Sequence, residues 1–281
     1  MNIKTAIVVR QFINKSVVPS RPRQRGNPGC PWHVIARVLV YAVLIGIFTN
    51  KGLVRHLEQH PSIARILGLK RVPHRKTIAR WKKNWCLLFF VVNKLGDMIR
   101  LLIPTEKLIF DSTPVVDYDD PDAEIGFYSR GPFKGFKDHF SVNQLGIPIR
   151  NIFTKANTHD SMWLFMLAVE MLFGLGDSGY DSKENRKLIK KMGGKPLIAK
   201  NRRRLKKRKW TPRMLKKFRY TIEQKNDLLK NQILKGFWTR IRSFENKASF
   251  FYSGIIVMQV MALNAITNGM KSLFDISLYR Y

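Results

Sequence analysis

Leu108-Ile109-Phe110-Asp111-Ser112-Thr113-Pro114-Val115 opens with a short apolar run that meets an acid, and there the chain changes character. Before it, apolar residues recur at helical spacing; after it, they come in short runs divided by turns. Leu108 to Phe110 reads as a buried strand ending at Asp111. A second acid, Asp177, follows the apolar run Leu172-Phe173-Gly174-Leu175-Gly176 in the same way. Arg219, Glu223 and Lys230 then stand at i, i+4 and i+11 in a stretch that reads as helix. At about 100° per residue they fall on one side, the acid flanked by two cations. Two strand-end aspartates and a helical glutamate are the parts needed to hold two magnesium ions, which are hard and prefer oxygen ligands.

Composition narrows the partner. The 281 residues carry 51 Lys+Arg against 19 Asp+Glu, a formal charge of +32. Such an excess points to a polyanion, with nucleic acid favoured over a membrane surface. The hydrophobic content of 45% describes a packed globule, not a ribosomal-type tail, and the length suits one main domain with a smaller appendage. Cys30 and Cys86 stand far apart without a CxxC pair, which excludes a disulfide framework and fits a reducing cytosol. No signal peptide is read in MNIKTAIVVRQFINKS. The segments Val34 to Phe48 and Ala248 to Ile266 are too short or too polar for spans and read as buried helices, so no membrane partner is expected.

Along the chain, residues 1–31 read as a basic arm, with Arg21, Arg23 and Arg25 among prolines, expected to be disordered alone and to order on DNA. Residues 32–100 read as a small all-α DNA-binding region. Its helices break at Pro61 and Gly68, and a basic helix after Pro73 presents Arg75, Lys76 and Arg80 in the manner of a helix-turn-helix. From residue 101 to 281 the layout is α/β: strands at His139 to Asn143 and Ile149 to Thr154, a helix from Asp160 to Phe173, a strand through Leu175, a polar helix from Ser182 to Met192, a strand from Pro196 to Ala199, and a long helix from Arg213 to Lys235 stopped by Gly236. The acidic run Asp117 to Asp122 lacks a calcium-loop pattern and reads as a flexible loop. Asn157 and Asp160 read as a turn and a helix cap, with His159 near the cleft. The block Arg202-Arg203-Arg204, with its following lysines and Trp210, suits a nucleic-acid backbone and base stacking.

Several stretches together carry a family resemblance. Ile109-Phe110-Asp111-Ser112-Thr113-Pro114-Val115, Lys134-Gly135-Phe136-Lys137-Asp138-His139, Ala156-Asn157-Thr158-His159-Asp160 and Gly176-Asp177-Ser178-Gly179-Tyr180-Asp181-Ser182 resemble, in order, motifs of the DDE transposases of bacterial and archaeal insertion sequences. Arg219, Glu223 and Lys230 match the family's Tyr-Arg-Glu-Lys signature; its tyrosine slot holds Lys216, with Tyr220 beside the arginine. Pro73 to Lys83 also resembles the family's N-terminal domain.

The resemblance implies an RNase H-like (retroviral integrase-like) mixed-sheet catalytic domain. Asp111, Asp177 and Glu223 would be catalytic and hold two Mg2+ ions, with Mn2+ able to substitute. Arg219, Lys230 and Lys137 would contact DNA beside them. It further implies cleavage and strand transfer at terminal inverted repeats and target double-stranded DNA, a homodimer on that DNA, and a nucleoid-associated place in a prokaryotic cytoplasm. The competing readings are a metal-dependent nuclease without strand transfer and a non-catalytic or domesticated DNA-binding protein.

Overall fold

The computed structural model describes residues 2–20, 29–128, 131–200 and 213–280. Helices α1 (Asn2–Phe12), α2 (Trp32–Leu44), α3 (Asn50–Gln59), α4 (Pro61–Leu67), α5 (Arg75–Lys82) and α6 (Trp85–Leu102) come first. They are followed by β1 (Lys107–Val116), β2 (Glu124–Tyr128), β3 (Gly131–Asn143), β4 (Pro148–Lys155), α7 (Leu164–Leu167), β5 (Phe173–Gly176), α8 (Lys183–Lys191), β6 (Lys195–Ile198), α9 (Arg213–Asp227), α10 (Phe244–Thr267) and α11 (Ser277–Arg280). The chain divides into two units by its contacts: a helical one, Met1–Leu95 with Leu229–Tyr281, and a sheet-bearing one, Gly96–Leu228.

The helical unit is built on α10. Every residue from Lys247 to Ala265 in that helix is buried, so it needs neighbours on all sides, and α2, α1 and α5 supply them. By length and composition α10 could cross a membrane, but 89% of its most apolar window is buried inside the protein. Its Gln259 Nε2 donates to Val92 O at 3.0 Å, satisfying one buried amide atom. This packing places α10 with the N-terminal helices, whereas a boundary at residue 101 assigns it to the sheet.

Residues 2–20 of the N-terminal arm are more ordered than the arm's charge suggests, while Arg21, Arg23 and Arg25 lie outside the described residues. Thr5, Ala6, Val9, Phe12 and Ile13 are buried, a stripe at helical spacing on α1. Arg37, the lone cation in the apolar α2, explains the docking: its Nε donates to Ile13 O at 2.6 Å, at the C-terminal end of α1 where carbonyls lack helical partners.

In the sheet unit the strand order is β6-β5-β1-β3, and both β2 and β4 pair with the far edge of β3. β3 runs antiparallel to β1, β2 and β4, while β5 is parallel to both β1 and β6. Ile109, Phe140, Val142 and Leu175 form a cluster on one face with Leu215 and Ile222 of α9. Helix α7 lies against β3 and β4, and α8 against β6.

Three local expectations are corrected. β1 does not stop at Asp111, because β3 pairs with it from Leu108 through Val116; only the β5 side of the ladder ends at Phe110. The helix expected from Asp160 to Phe173 is a 3-10 turn, Asp160–Trp163, followed by the single turn of α7. Ala168 turns extended there, and the Leu172 and Phe173 N–H groups bond Glu106 O, drawing the chain into β5 beside β1. The acidic run is not a loose loop: Asp117 and Asp120 are buried and accept the Asp119 and Asp122 N–H groups, a pair of Asx turns.

Gly135 is required where β1 and β3 meet. Its φ is +155°, and a Cβ there would lie 2.1 Å from Val115 O, an approach no side chain tolerates. Gly135→Ala is expected to destabilise the protein by about 2 kcal/mol or more, read as a lowered urea midpoint.

Candidate active site

The parallel pairing of β1 with β5 sets the site. Phe110 pairs with Gly176, so the residues that follow, Asp111 and Asp177, stand side by side where the parallel ladder ends. By the alternation of a strand, Asp111 shares the face of Ile109, and Asp177 that of Leu175. Both acids therefore sit at the edge of the cluster under α9. Asp177 opens a short 3-10 turn and its Oδ1 accepts Gly179 N–H at 2.9 Å.

These acids are under strain as anions. Burial first, and then the charge of Asp177, push the Asp111 carboxyl up to about 7. Asp177 is raised by burial and also by Asp160, against the pull of the Gly179 N–H. The Arg219 charge acts in the opposite direction on both.

Helix α9 contributes three polar residues to this side. Asn226 Nδ2 donates to Asp111 Oδ2 at 3.2 Å, a partnership the sequence reading did not identify. Arg219 Nε donates to Glu223 Oε1 at 2.9 Å, and both side chains are largely exposed. Arg219, Glu223 and Asn226 lie at i, i+4 and i+7, one stripe of the helix. Beyond Asp227 the helix widens into a π segment, Leu228–Ile233, so Lys230 leaves the 100° ladder that the spacing assumed. The Glu223 carboxylate is thus partnered by the Arg219 guanidinium.

A second acid network lies on the other face of the sheet. Asp160, read from sequence as a cap, instead accepts Ser112 Oγ at 2.9 Å through Oδ2 and Lys137 Nζ at 2.9 Å through Oδ1; His159 provides the capping bond, to Ser161 N–H. Lys137 is buried and also donates to Thr158 O. His139, fully buried, stands 3.8 Å from Asp160 Oδ1 and is held neutral, its pKa lowered to about 4 chiefly by burial. A Cβ at Gly179 would lie 3.0 Å from Asp177 Oδ1 and 3.1 Å from Asp160 Oδ2, so this glycine lets the two acids close on the same turn. Tyr180 is fully buried beneath, its ring 6.1 Å from Phe110. The signal for Asp160 was present in the sequence as His159-Asp160, but local capping rules outweighed it.

The remaining predicted DNA-facing residues are scattered. Arg75, Lys76 and Arg80 are exposed on α5, where the His74 ring accepts the Lys76 N–H. Arg202, Arg203, Arg204 and Trp210 lie outside the described residues.

Two adjacent buried carboxylates, both raised in pKa by burial and Asp111 also by the charge of Asp177, form an oxygen donor set short of positive charge, and a hard divalent cation relieves that shortage. Asp111 and Asp177 fit such an ion. Among the described residues, however, no three His, Cys, Asp or Glu side chains converge closely enough to hold one.

Two family models match parts of the chain. The family model described as "Transposase DDE domain" matches residues 120–244, which include Asp177 and Glu223. The "Transposase domain (DUF772)" model matches residues 3–84. No curated protein matches the chain in sequence. Among solved structures, the chain is similar to a piggyBac transposase in a synaptic complex with hairpin DNA, at 9% identity and a TM-score of 0.47, over 98% of this chain and 77% of that one. Two transposase family models, one over α1 to α5 and the other from β2 to the start of α10, together support a DDE transposase.

Proposed function

We propose that this transposase binds the ends of its own insertion sequence and catalyses strand cleavage and strand transfer through a two-metal site held by Asp111, Asp177 and Glu223 in an RNase H-like domain. The observation that carries the proposal is the pairing of Asp111 with Asp177 at the end of two parallel strands, each raised in pKa. The sheet supports it: an antiparallel β4-β3-β1 run continued by parallel β5 and β6 is the arrangement an RNase H-like domain requires. Two bound Mg2+ or Mn2+ ions would activate the attacking oxygen and stabilise the leaving one in in-line phosphoryl transfer.

The chain's own residues then have separable roles. Asn226 fixes the rotation of the Asp111 carboxylate through Oδ2. Arg219 takes a DNA phosphate, and in doing so gives up Glu223 to the aspartate pair. Exchange of one anion for another on the same guanidinium costs little at so exposed a position. Water is the first nucleophile and the freed 3′-hydroxyl the second, so no covalent protein–DNA intermediate is needed. Lys137, through Asp160, supports the site from behind. Arg75, Lys76 and Arg80 on α5, with Lys230 and Arg202 to Arg204, meet the backbone of double-stranded DNA, and a homodimer brings two ends together.

The decisive assay follows labelled DNA carrying the element's ends with Mg2+ or Mn2+. Wild type should nick it and join the labelled 3′-end to target DNA. Asp111→Asn and Glu223→Gln should fall to background while still binding DNA, and Asn226→Ala should lose about 10–100-fold. Nicking without joined product would identify a nuclease; nicking that survives Glu223→Gln would remove that residue from the site.

Asp111 also predicts a pH dependence. Its folded pKa of about 7 lies above the ordinary 3.8, so between those values the unfolded carboxyl releases its proton first and stability falls as pH rises. In metal-free protein the urea midpoint should decline from about pH 4 to about pH 7 and stay low above it. Asp111→Asn should remove most of that slope, and Mg2+ at about pH 8 should restore stability to wild type but not to the variant.

The α5 surface has its own test. Replacing Arg75, Lys76 and Arg80 with alanine should weaken DNA binding and lower the slope of log affinity against log salt by about 0.9 for each phosphate no longer neutralised.

A further inference from the structure

The helical unit contains a recess that the cleavage chemistry does not use. It has a volume of about 450 Å3 and lies between the end of α2, the end of α5, the turn at Phe237 and the start of α10. That size falls within the range of sites for small organic ligands.

Its walls combine three kinds of group. Phe48, Phe237 and Phe250 form an aromatic corner, with Phe48 5.1 Å from Phe237 and 5.3 Å, edge-on, from Phe250. Two polar atoms on the wall lack partners among the described residues: the hydroxyl of Ser249, a residue only 2% exposed, and the Asn50 side-chain oxygen. Buried hydrogen-bonding atoms left without partners cost free energy, and a ligand that supplies them recovers it. At the rim, Lys83 and Arg240 are exposed cations, the Arg240 guanidinium lying 5.8 Å from the Phe237 ring centre. Lys82 closes the floor, its Nζ donating to Phe48 O at 2.9 Å.

We infer that this recess is a binding site for one nucleotide unit, the base against the phenylalanines and the phosphate at Lys83 and Arg240. A flat π face, a hydrogen-bonding edge and a single anionic group are the three features the walls ask for, and a nucleotide carries all of them. An apolar ligand leaves Ser249, Asn50 and the rim unused; inorganic phosphate leaves the aromatic corner unused. The unit is either a free nucleotide or an unpaired residue of a DNA strand, and both present the same chemistry. The inference does not depend on the aspartate pair.

The test is calorimetric titration of the full chain at about 0.15 M salt, where the protein's general attraction for anions is screened. The probes are dAMP, inorganic phosphate, a duplex with one unpaired adenosine and the same duplex fully paired. Binding of dAMP well above that of phosphate is expected, weakened about tenfold by Phe237→Leu, which leaves the charge intact, and also by Arg240→Gln, a surface change that spares the fold. Preference for the unpaired duplex, lost in both variants, would identify DNA as the source; equal binding of the two duplexes with dAMP retained would identify the free nucleotide. Asp111→Asn should bind dAMP as wild type does, so this site and the cleavage reading fail separately. Phosphate binding as tightly as dAMP, or dAMP binding unchanged by Phe237→Leu in a variant whose circular dichroism shows it folded, would overturn the inference.

Discussion

Placing Asp111 beside Asp177 is the constraint from which the sheet unit takes its form. Two carboxylates at the ends of adjacent parallel strands repel one another and lose hydration, and packing alone returns neither cost. The surroundings limit the damage in specific ways. β3 continues past the end of β5, so the backbone at Asp111 stays paired on one side. The Gly179 N–H serves Asp177 and the Asn226 amide serves Asp111. Arg219 supplies a compensating charge from α9. The chain as a whole is strongly positive, yet this one place is short of cations.

Much of this was legible in advance because it rests on short-range rules. The strand before Asp111, the strand before Asp177 and the helix bearing Glu223 each announce themselves by periodicity and by their stop signals. The same holds for the Ser182 cap of α8, which accepts Asn185 N–H at 3.0 Å, and for Gly68, left-handed at the end of α4. What periodicity could not reach was register. That Phe110 meets Gly176, and so that the two acids become neighbours, is a property of strands far apart in the chain and has no local signature.

The misses share a cause. Arg37 within an apolar helix, Asp160 after a histidine and Asn226 on α9 are single polar residues whose partners lie far away in sequence, at Ile13, Ser112 and Asp111. Local reasoning makes the second a cap and assigns the first and third no partner at all. The arm at residues 1–31 misleads in the same way, since its charge masks the apolar stripe Ala6, Val9 and Ile13 that buries α1. Shortening of the Asp160 helix was equally invisible, because the Glu106 carbonyl that takes the Leu172 and Phe173 N–H groups belongs to the approach to β1.

The helical unit is interrupted in sequence by the sheet unit, and this sets an order of events during synthesis. Residues 96–228 form a continuous stretch that can close on itself as soon as it leaves the ribosome. The first 95 residues cannot: α10, the helix they pack around, is made only after the whole sheet unit. Until then the apolar faces of α1 and α2 have no permanent cover. Their pairing with α10 closes a very long loop, a slow step with a risk of aggregation. A product truncated before Phe244 would retain all three acids and still lack the helix around which the N-terminal helices pack.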